Sequence, residues 1–130
     1  MTFVKAGLDT VTMPKALPVV DLSGALCCPP VARGELTEPE AMEAALRLKA
    51  LADPVRLQIV SILIQQDSRG ARNLDLAERL GLSDATISHH LGVLHRAGLV
   101  LRERGGGVTV YRVDRGMLGA LAGVIDPACC

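Results

Sequence analysis

Apolar and polar positions change their period several times along the chain, and each change marks an element. From Thr37 to about Leu51, Met42, Ala45, Leu46 and Lys49 fall near one stripe, the spacing of an amphipathic helix. Thr37 with Glu40 three residues on is a capping-box signature, and Pro39 is tolerated in a first turn. Ala52-Asp53-Pro54 restarts the chain, with Asp53 as cap and Pro54 at the first helical position. Val55, Leu57, Ile59, Val60, Leu63 and Ile64 then predict a mostly buried second helix, and Gln65 to Gly70 reads as a polar loop. Leu74 to Leu80 predicts a short third helix, with Leu74, Leu76, Ala77 and Leu80 apolar and Asp75, Glu78 and Arg79 outward. Gly81 stops it, and Ser83 caps a fourth helix with Asp84 in its first turn. Ile87, Leu91 and Leu94 form the buried face of that helix, which runs out at Gly98. Leu99 to Glu103 and Val108 to Val113 predict two strands, joined by Gly105-Gly106-Gly107. A last helix from Asp114 to Ile125 places Met117, Leu118, Leu121, Ala122 and Ile125 on one face and ends at Asp126-Pro127.

The order helix, helix, helix-turn-helix, hairpin, helix predicts a mainly α fold with a small β-hairpin, a winged helix-turn-helix. The expected organisation is a flexible N-terminal arm over residues 1–36, the winged domain over 37–125, and a short tail over 126–130. The first and last helices carry apolar stripes (Met42, Ala45, Leu46; Leu118, Leu121, Ile125) that one small winged domain leaves uncovered, so a homodimer is expected.

The solvent face of the fourth helix is small and polar: Ala85, Thr86, Ser88 and His89. A major groove just admits a helix, and such a face can hydrogen-bond to base edges and phosphates. Double-stranded DNA is therefore the expected partner, with Ser83, Thr86, Ser88 and His89 on the groove and backbone and Arg102, Arg104 and Arg112 on phosphates from the hairpin.

Composition qualifies this only slightly. With 49% hydrophobic and 2% aromatic residues, the core must be aliphatic. Fourteen basic and 14 acidic residues cancel, which by itself is unlike a DNA binder. The distribution answers that: Arg96, Arg102, Arg104, Arg112 and Arg115 gather in the hairpin half, and Glu35, Glu38, Glu40 and Glu43 at the first helix. On charge alone, a plain solvated face of arginines remains an alternative. No apolar run is long enough to span a bilayer, and Met1 to Leu26 has no signal-peptide pattern, so a cytoplasmic chain with reduced thiols and no membrane partner is expected.

The runs Leu48-Lys-Ala-Leu-Ala-Asp-Pro-Val-Arg-Leu57 and Leu82-Ser-Asp-Ala-Thr-Ile-Ser-His-His-Leu-Gly-Val-Leu-His-Arg-Ala-Gly-Leu-Val100 resemble the ArsR/SmtB family of metal-sensing repressors. The resemblance covers roughly Glu38 to Ile125 and implies a homodimer built on the first and last helices. It also implies an apo-dimer that sits on its own operator and leaves it when a metal or metalloid ion binds. Two family sites are absent here. Arg72 and Leu74 stand where many arsenic sensors place a Cys-x-Cys, and no histidine follows Asp114 on the last helix as in the zinc sensors.

The four cysteines come as two adjacent pairs, Cys27-Cys28 and Cys129-Cys130. Neighbouring cysteines reach disulfide geometry poorly, but paired thiolates suit a soft ion. Trivalent arsenic or antimony is the expected inducer, with cadmium, lead or thiol oxidation as alternatives. A subgroup of arsenic-responsive family members similarly carries an N-terminal Cys-Cys. Here Cys27 and Cys28 are the expected ligands, and Cys129 or Cys130 is expected to supply the third sulfur of a pyramidal site. His89, His90 and His95 are not expected to bind metal; His95 reads as a solvated helix residue. Neither cysteine pair has a candidate base beside it, and no glycine loop of the phosphate-cradling kind occurs. No enzyme activity and no organic cofactor are expected.

Overall fold

The computed structural model describes residues 34–126; the four cysteines lie outside them. The first helix, α1 (Glu38–Leu51), starts as its sequence predicts: Thr37 N donates to Glu40 Oε1 at 2.9 Å and Glu40 N donates to Thr37 Oγ1 at 3.3 Å. Its buried positions are Ala44, Arg47 and Ala50, with Ala45 exposed and Met42 and Leu46 half-buried. Arg47 is fully buried, which helical periodicity does not announce; it pairs with Glu43 one turn earlier at 3.0 Å.

Helix α2 (Pro54–Gln66) buries Ile59, Val60 and Leu63. Leu57, expected inside, is 53% exposed. The helix is apolar around most of its circumference, so periodicity could not say which side faces the core. The polar stretch expected as a loop from Gln65 is instead helical to Gln66 and continues as a single 3-10 turn, Asp67–Arg69. Gly70 follows at φ +66°, where a Cβ would stand 2.5 Å from the Tyr111 carbonyl oxygen. Ala71 then exchanges two backbone hydrogen bonds with Tyr111, at 2.9 and 2.8 Å.

Helix α3 (Asn73–Leu80) buries Leu76 and Ala77, whereas Leu74, read as apolar-in, points outward at 57% exposure. Gly81 closes α3 in the left-handed region, φ +68°, and Leu82 N donates to Ala77 O at 3.0 Å. Helix α4 (Asp84–Arg96) is capped by Ser83 and buries Ile87, Leu91 and Leu94 completely.

Strands β1 (Val100–Gly105) and β2 (Val108–Val113) pair antiparallel, Val100 opposite Val113, Arg102 opposite Tyr111 and Arg104 opposite Thr109. The first strand begins one residue later and runs two residues further than its sequence suggested, because Gly105 still pairs with Val108 and only Gly106 and Gly107 form the tip. Asp114 then caps α5 (Arg115–Val124) by accepting from Met117 N at 3.0 Å. The inward face of α5 is Met117, Leu121 and Val124; Ala122 and Ile125, expected on that face, are exposed. Helix α5 packs against α1, beside a core of Ile59, Leu63, Leu76, Ile87, Leu91, Leu94 and Leu99 that is aliphatic throughout. Truncating one of these residues to Ala should remove about 2–5 kcal/mol. Among the described residues the architecture is a winged helix-turn-helix of five helices and one two-stranded hairpin. No helix among the described residues is long and apolar enough to cross a membrane.

Candidate nucleic-acid interface

The three-residue connection Gly81-Leu82-Ser83 lets α4 lie across α3, and α4 presents Ala85, Thr86, Ser88 and His89 to solvent. Ile87, Leu91 and Leu94 anchor its opposite side, so the polar face cannot roll inward without exposing three core residues. At the helix start Ser83 Oγ accepts from Thr86 N at 3.1 Å and donates to Thr86 Oγ1 at 2.9 Å. Ser83 is thus a cap whose own proton is used, while the Thr86 hydroxyl keeps its proton for an outside acceptor. Asp84 complements the helix dipole in the first turn.

Ser88 Oγ donates to Asn73 Oδ1 at 3.2 Å, and Asn73 Nδ2 donates to the Asp84 carbonyl at 3.3 Å. Helical periodicity does not mark Asn73. Its one signal is a poor helix former at the first helical position, which in the fold braces α3 against α4. His89 is exposed, with its ring edge-on to His90 at a centroid distance of 5.4 Å. His90 turns inward, its side chain 13% exposed, to meet Arg56 of α2. Periodicity does not mark Arg56 either, although it lies three residues past the Asp53 cap.

The hairpin arginines divide. Arg104 and Arg102 are exposed on one face of β1, and Arg102 Nη2 lies 3.4 Å from His95 Nδ1. Arg112 is half-buried and donates to Glu103 and to the Ser68 carbonyl. Arg115 donates to the Ile64 carbonyl at 2.7 Å and so closes the end of α2. The clustering read from the sequence therefore mixes exposed cations with two that are tied to the protein. His95, expected to be solvated, is half-buried. Burial first, then the nearby Arg102 and Arg96 charges, hold its imidazole below the usual histidine value. Asp75 is held below the ordinary carboxylate range chiefly by the side-chain hydrogen bond from Arg72.

Among the described residues no three His, Cys, Asp or Glu side chains converge to hold a metal ion. The expected ligands Cys27, Cys28, Cys129 and Cys130 lie outside those residues.

Residues 53–101 match the family described as bacterial regulatory protein, arsR family. The chain is 38% identical over 65 residues to an uncharacterised helix-turn-helix transcriptional regulator of Mycobacterium tuberculosis, covering 50% of this chain and 55% of that one. It thus spans little more than half the length of that relative. It is 30% identical over 93 residues to the biofilm growth-associated repressor of Xylella fastidiosa, covering 72% of this chain and 79% of the repressor. Among solved structures, HlyU from Vibrio cholerae superposes with a TM-score of 0.56 at 30% identity, over 68% of this chain and 90% of HlyU. The same protein is solved as reduced HlyU.

Proposed function

This chain belongs to the ArsR family of bacterial regulatory proteins, and on that premise we propose that it is a transcriptional repressor that binds double-stranded operator DNA as a homodimer. The observation that carries the reading is the exposed Thr86–His89 face of α4, braced by Asn73 and anchored by three fully buried residues. A rigid helix with a small polar outer face meets what groove readout demands. Exposed Arg102 and Arg104 on the hairpin add phosphate contacts that fix register without reading sequence.

The inducer reading rests on donor chemistry. Four thiolates in a chain with only 4 cysteines favour a soft ion, and trivalent arsenic or antimony takes three sulfurs. Cys27, Cys28 and one of Cys129 or Cys130 would hold it, and its binding would favour a dimer with weaker grip on DNA. Such coupling is typically about 1–3 kcal/mol, and DNA then weakens ion binding by the same factor. The second reading, thiol oxidation, draws on the relative solved in a reduced form and needs no third ligand.

A gel-shift on the DNA upstream of the chain's own gene tests both. The expected result is a salt-sensitive complex, released by arsenite in the wild type and retained by a Cys27→Ser, Cys28→Ser protein. Release by peroxide alone selects the oxidation reading. Absence of any complex at low salt overturns the repressor reading.

A further inference from the structure

Arg56 joins three elements with one guanidinium. Its Nε donates to the Ala50 carbonyl at 2.6 Å, and its Nη2 lies 3.5 Å from the Lys49 carbonyl. Those oxygens belong to the last turn of α1, the negative end of its dipole, and the Lys49 carbonyl also accepts from Ala52 N at 3.2 Å. The third arm of the fork, Nη1, is 3.1 Å from His90 Nδ1 on α4. The Arg56 backbone N–H donates to Asp53 Oδ2 at 3.0 Å, which brings that carboxylate to 3.9 Å from the same ring nitrogen.

We propose that Arg56 is a positioning residue that sets α4 against the end of α1 through His90. This inference rests on the DNA-binding reading above.

A guanidinium has donors and no acceptor, so His90 Nδ1 must offer its lone pair and the ring proton must sit on Nε2. The Asp53 carboxylate, an acceptor only, cannot take the place of Arg56 at that lone pair. The groups facing the ring are Arg56 and Asp53 from the start of α2 and His89 from its own helix; α1 contributes backbone carbonyls to Arg56. His90 sits between exposed His89 and fully buried Leu91. Loss of the Arg56 contact therefore loosens α4 at the residue between its DNA face and its core anchor.

The test uses the full, inducer-free chain and the upstream DNA fragment. Arg56→Gln should weaken binding about tenfold with the dimer and melting curve kept, the scale of losing a hydrogen bond to a charged group. His90→Asn places an untitratable acceptor near Nδ1. It should bind within about twofold of wild type, whereas His90→Leu, which offers no acceptor, should lose about as much as Arg56→Gln. Equal binding by wild type and Arg56→Gln overturns the proposal, as does equal binding by His90→Asn and His90→Leu. Should Arg56→Gln not fold, ring nitrogen-15 NMR of wild type decides without DNA. A proton on Nε2 supports the junction, and a proton on Nδ1 sinks it whatever the gel-shift shows. Failure of wild type to bind any DNA, with Nε2 protonated, overturns the repressor reading and the positioning role built on it.

Discussion

Asn73 holds Ser88 across the helix-turn-helix: one amide side chain on α3 accepts from the Ser88 hydroxyl at 3.2 Å and donates to the Asp84 carbonyl at 3.3 Å. The two grips are one helical turn apart on α4, so they resist rotation of that helix as well as its translation. Asn73→Ala should cost only about 1 kcal/mol of stability, because both partners can turn to water. Its effect on DNA affinity should be larger, about five- to tenfold, because the whole polar face loses its brace. A melting curve and a binding titration on one preparation check this; equal losses in both would show that the brace carries stability alone.

The wing arginines should separate in a salt titration. Arg104→Ala should weaken binding to all sequences alike and lower the slope of log affinity against log salt by about one unit. Arg112 is engaged with Glu103 and Ser68, so Arg112→Ala should change that slope less and lower hairpin stability instead. Anisotropy measured over a salt series distinguishes them.

Gly70→Ala combines a positive φ with a Cβ 2.5 Å from a backbone oxygen and 2.6 Å from Val110 Cγ1. Backbone cannot move aside as a flexible side-chain tip can. A loss of about 2–3 kcal/mol is expected, with the melting temperature falling about 10 °C or more. An unchanged Tm would mean that the 3-10 turn shifts freely.

Stability should fall on mild acidification, partly through His95. Burial and two arginines lower its folded value below 6.5, so between those two values the folded chain binds fewer protons than the unfolded chain. The contribution of His95 is full above about pH 6.5 and is lost as the pH falls through the folded value. His95→Gln should flatten the urea midpoint over that window. Asp53, held down chiefly by the Arg56 backbone N–H, and Asp75, held down by Arg72, add their losses only below 3.8.

Element ends were legible because capping is local chemistry. Thr37 with Glu40, Ser83 with Thr86, and Asp114 with Met117 each act within three residues of chain. Faces were less legible where apolar residues surround a helix: Leu57 and Ile125 are chemically equivalent to the buried Leu63 and Val124, and only the tertiary partner distinguishes them. The outer face of α4 followed from residue size and polarity. The Asn73 and Arg56 contacts did not, since their partners lie 15 and 34 residues away. For the same reason, arginine clustering could not show that Arg112 and Arg115 bond to Ser68 and Ile64.

The pair of backbone bonds between Ala71 and Tyr111 ties the entry to α3 to the strand that carries the wing. Neither partner can release its amide to solvent without freeing the other. In native-state hydrogen exchange, Ala71 and Tyr111 should therefore open at a common rate, as one cooperative unit spanning forty residues of sequence. Denaturant should move that rate for both amides in parallel, making the latch a single unfolding event.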